Sequence, residues 1–181
     1  MAYAEITVRD QRAALMEAAK LAVAGAKTEK VHAAALAIAS DCEARDDMCE
    51  VEAVFNAVKT GTNKVRSLRR GVRYVNDPVR RDLFKRPDRL LTFCEEGACA
   101  GDCDDQAMLV TALLLNLGFH AGLRIFKPDG AKSFEHIYAV VQLPKLNPKN
   151  WVGLDTTVPH ATVGWEPEGG RTLTVDLSVM E

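Results

Sequence analysis

The sequence predicts an α+β fold in which one buried helix precedes a series of antiparallel strands. The first observation is an almost entirely apolar stretch from Cys103 to Leu117, ending at Gly118, which is typical of a central helix. The second is the change of period after it, from helical spacing to short alternating segments separated by turns. The third is the first part of the chain, rich in Ala, Glu and Lys, which favours helices.

Several helices are predicted before the central one, from apolar spacing, a capping threonine and a proline suited to a first helical turn. In order, they contain the apolar residues between Ala13 and Val23, begin after Thr28, span about Met48 to Lys59, and begin near Pro87.

The strands predicted after the central helix are short apolar or alternating segments bounded by turn residues. They are His120–Phe126, Phe134–Leu143 and Trp151–Asp155, with Arg171–Ser178 as a final strand and Gly71–Val75 as a short extended segment upstream.

The composition is that of an ordinary globular protein. Of its 181 residues 48% are hydrophobic, and the formal net charge of -2 does not indicate general affinity for nucleic acid or membranes. No apolar run approaches the ~20 residues of a membrane helix, and the N-terminus lacks the pattern of a signal peptide. Five cysteines are an odd number. Together with the missing signal, this favours reduced thiols in the cytoplasm.

The stretch from Lys64 to Arg89 is strongly basic, with ten basic and three acidic residues. It contains Tyr74 and Phe84 but no recognisable nucleic-acid motif, so a nucleic-acid partner is not expected. A solvated face is the more common reading of such a run. Pairing with the acidic residues between Asp41 and Glu52, or with an acidic partner protein, is an alternative.

The segment that indicates chemistry begins at Gly101 and continues as Asp102, Cys103, Asp104, Asp105. It places a cysteine in the first turn of the buried helix, where free backbone N–H groups carry partial positive charge. That field favours the nucleophilic thiolate. The Cys103 N–H can also donate to the oxygen of a carbonyl bound at the sulfur.

A thiol nucleophile needs a base and a group that orients the base. His136 lies on a predicted strand 33 residues downstream of Cys103, and Asp155 lies 19 residues further, near the end of the next strand. If the two strands pair, the intervening loop returns Asp155 to the neighbourhood of His136. The sequence therefore predicts a triad with Cys103 as nucleophile, His136 as base and Asp155 as orienting residue.

These segments resemble the transglutaminase-like cysteine protein superfamily, and within it the compact proteins encoded in bacteriophage and prophage structural-gene clusters. The resemblance extends from about Val51 to Pro167. The matching residues are Tyr74, Val75, Asp77 and Pro78; Pro87 and Leu90; Gly101 to Asp105; His136, Ile137 and Tyr138; Trp151 to Asp155; and Gly164, Trp165 and Pro167.

The resemblance implies a papain-like core, with the Cys103 helix packed on the sheet that carries His136 and Asp155. It divides the protein into an N-terminal helical segment, residues 1–60, and a catalytic core, residues 61–181, within one compact domain. The implied chemistry is cysteine-dependent acyl transfer from a peptide or protein amide, by hydrolysis or cross-linking, without a cofactor. Tyr74 is the candidate for a second oxyanion donor, and Trp151 belongs to the supporting motif.

The resemblance also implies phage structural proteins as possible partners, and a location in the host cytoplasm or the virion. Its alternative is a catalytically silent structural or assembly protein of a phage particle that retains the fold.

Several less specific interpretations stay open. Cys103 alone suits a buried structural cysteine, His136 alone a core histidine, and Asp155 alone a turn cap. Negative charge near the thiol disfavours the thiolate, so some neighbouring carboxylates are expected to cap helix N–H groups or bind basic residues. A carboxylate site for a divalent cation and a cysteine zinc site are both ranked low, because the spacings do not match known loops. A Cys94–Cys99 disulfide is a further, weakly supported, interpretation.

Overall fold

Within the described residues, five α-helices and a four-stranded antiparallel sheet form the main architecture, which confirms the predicted α+β class. The structure is a computed structural model that describes residues 4–6, 11–77 and 82–180. The helices are α1 (Gln11–Ala26), α2 (Glu29–Ile38), α3 (Asp47–Lys59), α4 (Pro87–Glu95) and α5 (Cys103–Asn116). Arg66–Leu68 is a short 3-10 helix.

The main sheet has the spatial order β7-β6-β5-β8, with every neighbouring pair antiparallel. Two small strand pairs lie outside it. In one, β1 and β3 are antiparallel, and in the other β2 and β4 are parallel. The strands are β1 (Ala4–Ile6), β2 (Arg73–Tyr74), β3 (Asp82–Phe84), β4 (Ala100–Gly101), β5 (Ala121–Pro128), β6 (His136–Leu143), β7 (Asn150–Leu154) and β8 (Gly170–Asp176).

Each predicted helix is present, with ends that differ by a few residues. Thr28 caps α2 as expected, since its side chain accepts a hydrogen bond from the Val31 N–H. Strand β2 lies within the extended segment predicted over Gly71–Val75. The pairing of β1 with β3 and of β2 with β4 was not predicted, because strands of two or three residues are too short for a periodic pattern. Pro78, Arg80 and Arg81, which belong to the matched motif or the basic stretch, lie outside the described residues.

Helix α5 is the centre of the molecule. Every residue from Asp104 to Leu114 is buried, as the apolar pattern predicted. It packs against α1, α2 and α3 and against strands β5 and β6. Burying a leucine such as Leu109 or Leu113, both fully buried, contributes about 1.5–3 kcal/mol. This packing holds the first turn of α5, and therefore Cys103, in a fixed position. The division at residue 60 stays a prediction.

Four of the five cysteines form disulfides, Cys42–Cys49 and Cys94–Cys99. The expectation of reduced thiols is therefore wrong for this structure, while the weakly supported Cys94–Cys99 pair is present. Cysteines five and seven residues apart are separated by turns that bring their Cα atoms to 3.8 and 5.6 Å. An odd number of cysteines excludes only complete pairing, and Cys103 is the one left free.

When the protein is unfolded in denaturant without reductant, we expect it to take up one N-ethylmaleimide, because Cys103 is the single free cysteine among five. After reduction it should take up five. Intact-mass spectrometry measures both numbers. Peptide mapping should place the first adduct on Cys103. Uptake of three or five equivalents before reduction would contradict the disulfide assignment.

The basic stretch is partly paired with acidic residues. Lys64 forms an ion pair with Asp41 at 2.5 Å, so the predicted pairing with the acidic segment is confirmed at that residue. Arg86 binds Asp88 at 2.6 Å. Among the helices in the described residues, none is both long and apolar enough to cross a membrane.

Candidate active site

Cys103 is the first residue of α5 and is partly exposed. Asp102 caps the helix, since its Oδ1 accepts a hydrogen bond from the Asp105 N–H at 3.4 Å. The backbone enters the helix through β4, whose parallel pairing with β2 places Gly101 beside Tyr74. Gly101 is needed here because a Cβ atom would lie 2.7 Å from the Cβ of Asp105.

His136 and Asp155 lie on neighbouring elements and contact each other. His136 opens β6, and Asp155 follows directly after β7, which pairs with β6. His136 Nε2 is 2.5 Å from Asp155 Oδ2. The second carboxylate oxygen accepts hydrogen bonds from the Thr157 N–H at 3.0 Å, the Thr157 hydroxyl at 2.8 Å and the Val158 N–H at 3.3 Å. The Asp155 carboxylate is therefore held on both sides.

These contacts decide the protonation of Asp155. Burial alone would raise its pKa, but the hydrogen bond and charge of His136, together with the Thr157 donors, outweigh burial and hold the pKa below its ordinary value. The carboxylate is ionised at neutral pH. Because Nε2 of His136 faces Asp155, Nδ1 is the ring nitrogen left for another partner.

Cys103 and His136 line one cleft of about 320 Å³. The backbone N–H of Ile137, the residue after His136, favours the thiolate and lowers the pKa of Cys103 in part, which indicates that the thiol lies near the start of β6. The structure thus brings together the three residues of the predicted triad. Their catalytic roles stay predictions.

The thiol is not activated by its surroundings alone. Burial is the main cause that raises the pKa of Cys103 to about 12, and the nearby carboxyl groups of Asp104 and Asp102 act in the same direction when ionised. The backbone N–H groups of Ile137 and Cys103 act in the opposite direction but do not outweigh burial. The predicted lowering of the thiol pKa by the helix N-terminus is therefore present, but it is smaller than the increase caused by burial. A proton acceptor such as His136 is needed to form the thiolate.

Asp105 is bound by a lysine, as expected for the carboxylates around the thiol. Its Oδ1 accepts from the Lys85 N–H at 2.7 Å, and its Oδ2 binds the Lys85 ammonium. Burial raises the Asp105 pKa to about 7, although Lys85 opposes this shift. Asp105 therefore anchors the segment between β3 and α4 to the helix that carries Cys103.

Asp104 is the unusual member of this group. Its side chain is buried, and Oδ1 has no hydrogen-bond partner among the described residues. Burial, a hydrogen bond with Asp102, and the charges of Asp102, Asp105 and Asp77 raise its pKa far above the ordinary value. Asp104 is therefore protonated and neutral at physiological pH, and its carboxyl O–H donates a hydrogen bond to Asp102.

Asp102, Asp104 and Asp105 could offer metal-ligand oxygens within 4.8 Å of one another. Against a cation site, both oxygens of Asp105 are already bound by Lys85, whose ammonium occupies one side of the cluster. The low rank given to a metal site stands on this ground. The proton on Asp104 lowers the negative charge that a metal ion would otherwise offset.

Tyr74, the candidate oxyanion donor, is exposed, and its hydroxyl donates to Asn76 Oδ1 at 2.9 Å. Partial burial and the negative charges of Cys103 and Asp102 raise the Tyr74 pKa, so the hydroxyl keeps its proton. Its register next to Gly101, two residues before Cys103, and its place in a cleft with Gln106 and Thr157 put it near the site. The oxyanion role stays a prediction.

Gln106 is a residue to which sequence reasoning assigned no role. Its fully buried side chain donates from Nε2 to the carbonyls of Val72 and Gly101 at 3.4 Å each. Its Oε1 accepts from the Thr156 hydroxyl at 2.9 Å. Gln106 therefore links the helix of Cys103 to the residue after Asp155. The available signal was a long amide side chain on an otherwise apolar helix.

Trp151 of the supporting motif packs against the cluster of Phe126, Tyr138 and Val140. This position accounts for Trp151 as a packing residue. The His136 ring lies 5.8 Å from the Tyr138 ring, centroid to centroid, in a stacked arrangement. Tyr138, which lies on the same strand as His136 and belongs to the cluster around Trp151, therefore supports the His136 ring. Comparison with protein-family models and with curated proteins finds no match to this sequence.

Proposed function

We propose that this protein is a cysteine-dependent acyl transferase or hydrolase that acts on amides, with a papain-like and transglutaminase-like core. The observation that carries the proposal is the 2.5 Å contact between His136 Nε2 and Asp155 Oδ2, made by the histidine that shares a cleft with the single free thiol. A central helix that begins at Cys103, followed by an antiparallel sheet, supports the core assignment.

The first half of the reaction forms a thioester. Sγ of Cys103 adds to the amide carbonyl carbon as His136 Nδ1 accepts the thiol proton. Asp155 stabilises the imidazolium that results. The tetrahedral oxyanion then collapses, the C–N bond breaks, and His136 returns the proton to the departing amine. The acyl group remains on Cys103.

The oxyanion needs hydrogen-bond donors. The Cys103 N–H lies in the first turn of α5, where no intrahelical carbonyl accepts it. Tyr74 is the proposed second donor, because its hydroxyl keeps its proton. It is not free at the outset, so it exchanges its exposed hydrogen bond to Asn76 Oδ1 for one to the oxyanion. One such donor typically lowers the activation barrier by ~3–4 kcal/mol.

The second half of the reaction releases the acyl group. Water or a second amine attacks the thioester carbonyl carbon and gives its proton to His136. The C–S bond then breaks, and His136 returns the proton to Sγ, which restores the Cys103 thiol. Attack by water makes the protein a peptidase or amidase, and attack by an amine makes it a transglutaminase. Peptide or protein amides are the proposed substrate class.

One observation favours a second candidate. The high pKa of the Cys103 thiol, caused by burial and by Asp104 and Asp102, is a feature of a quiet structural cysteine. The second candidate is therefore a phage structural or assembly protein that keeps the fold without the activity. The two candidates differ in whether His136 controls the reactivity of Cys103.

The test is the rate of Cys103 alkylation by iodoacetamide between pH 5 and 9, in the wild type and in His136→Ala. Near pH 7, well below the ~8.5 pKa of a free thiol, we expect Cys103 of the wild type to react at least about 10-fold faster than Cys103 of His136→Ala, because His136 accepts the thiol proton. Mass spectrometry of the labelled peptide measures the rate.

His120→Ala is the matched control, since His120 binds Ser178 and not the triad. It should leave the rate unchanged. Equal rates in the wild type and His136→Ala over the whole pH range would reject the acyl-transfer proposal in favour of the silent structural protein.

A further inference from the structure

Two clefts border the candidate triad, and their charges are opposite. In the first cleft, which contains Cys103 and His136, the lining residues among those described include three acids and no lysine or arginine. In the second, of about 660 Å³, they include three basic residues and no aspartate or glutamate. The acids are Asp102, Asp104 and Glu135, and the basic residues are Lys59, Arg70 and Arg73.

The second cleft adjoins the triad through three of its lining residues. Thr157 donates two hydrogen bonds to Asp155. Gln106 lies in the first turn of the helix that begins at Cys103. Tyr74 is coupled electrostatically to Cys103. An extended substrate whose amide reaches Cys103 therefore has the second cleft within its length.

Two arginines of this cleft are available to a ligand. Arg70 and Arg73 are exposed, whereas Lys59 already donates to the carbonyls of Val158 and Ala161 at 2.5 and 2.9 Å. A guanidinium stays charged at any physiological pH and binds a carboxylate through two parallel hydrogen bonds. The chemistry of the free groups is thus that of a carboxylate site.

The backbone that carries the two arginines is held in place. Gly71 donates to the Leu68 carbonyl at 3.2 Å, Val72 to the Val58 carbonyl at 2.8 Å, and Arg73 to the Cys99 carbonyl at 3.2 Å. Because the 3-10 turn, α3 and the segment before β4 all contact this short run, the backbone of the two arginines is held in one conformation. A pre-organised backbone reduces the conformational entropy that is lost when a ligand binds.

We propose that the amide substrate carries a carboxylate, from an aspartate or glutamate side group or from the C-terminus of a peptide, that lies in the second cleft against Arg70 and Arg73. This specificity rests on the proposed acyl-transfer function and deepens it. Asp102 and Glu135 of the first cleft repel the same group, whereas Asp104 is neutral, so the substrate is oriented across the triad by charge. A peptide is favoured over a nucleic acid because the cleft leads to a site suited to amide chemistry.

The test uses two fluorescein-labelled peptides, one of four glutamates and one of four glutamines, with the Cys103→Ser variant of the full-length protein. We expect the glutamate peptide to bind at least about 10-fold more tightly at low ionic strength, and added salt to weaken it. Fluorescence anisotropy measures both dissociation constants. Arg70→Glu and Arg73→Glu should remove the difference.

Arg171→Glu is the matched control, because it makes the same change of net charge on β8, outside the second cleft. It should keep the preference for glutamate. Arg73→Gln, a milder change at an exposed residue, should weaken binding in the same direction as Arg73→Glu. Thermal unfolding of each variant establishes that it is folded.

The position of the site is tested in the wild type, where the glutamate peptide should protect Cys103 from iodoacetamide more than the glutamine peptide does. Equal binding of the two peptides would overturn the inference. Loss of the preference in Arg171→Glu, binding without protection, or tighter binding of an oligothymidylate through the same arginines would do so too. Loss of the His136 effect on alkylation, with peptide selectivity intact, would instead reject only the proposed function.

Discussion

Replacing Asp155 with alanine is expected to lower the rate of acyl transfer from p-nitrophenyl acetate to Cys103 by about 10³–10⁴-fold, as for other triads that lose the orienting acid. The reason is that Asp155 Oδ2 binds His136 Nε2 at 2.5 Å and thereby fixes which ring nitrogen faces the thiol. The measurement is the initial burst of p-nitrophenolate, corrected with Cys103→Ala.

The same substitution should reduce the free energy of unfolding by about 2–4 kcal/mol, because it leaves partly buried donors without a partner. Three of these donors belong to Thr157 and Val158, and the fourth is His136. Urea unfolding measures this change. Wild-type values of both rate and stability in the variant would show that the His136–Asp155 contact is unimportant.

Asp155→Asn tests the separate roles of the two carboxylate oxygens of Asp155. An amide has one accepting oxygen, so asparagine can serve either His136 or the donors of Thr157 and Val158, and its NH₂ group must face the other set. We expect a partial loss of both rate and stability, smaller than in Asp155→Ala. An asparagine variant worse than the alanine variant in both measurements would contradict this account of the two oxygens.

Replacing Asp104 with asparagine is expected to stabilise the protein at pH 8 by about 2–4 kcal/mol. Asp104 is neutral in the folded state, because burial and neighbouring carboxylates raise its pKa, whereas in the unfolded protein it ionises near pH ~3.9. The folded state therefore holds a proton that the unfolded state releases. Each pH unit above about 4 lowers the free energy of unfolding by up to ~1.4 kcal/mol. Asparagine keeps the shape and removes this penalty.

The measurement is urea unfolding from pH 4 to 8. The wild type should lose stability as pH rises, and Asp104→Asn should lose less. Asp105, whose pKa is raised to about 7, adds a loss of the same sign up to about pH 7 in both proteins. Asp155 acts in a separate window, since its lowered pKa provides stability that disappears only as pH falls below about 4.

Asp129→Asn, in an exposed turn, removes the same formal charge and is the control for a change in net charge. It should not reproduce the stabilisation. Destabilisation of Asp104→Asn at pH 8 would mean that Asp104 is ionised in the folded protein, and the account of the carboxylate cluster would be wrong.

The sequence by itself determined the elements and the α+β class, because these depend on local patterns. Apolar residues around the whole circumference required α5 to be central, and it is buried from Asp104 to Leu114. Thr28 caps α2 through its own hydroxyl. Turn residues separated β5, β6 and β7 correctly. The start of α5 at Cys103 was likewise readable from the local pattern, whereas the strand predicted from Phe134 begins at His136.

Only the tertiary structure decided the contacts between distant residues. Pairing of β6 with β7 brought Asp155 to 2.5 Å from His136, and pairing of β2 with β4 brought Tyr74 beside Gly101. The Gln106 bridge, the proton on Asp104 and the opposite charges of the two clefts also depend on contacts between distant parts of the chain. The physical reason is that pKa values and cleft charges follow from burial and from distances across the fold, which a local pattern does not contain.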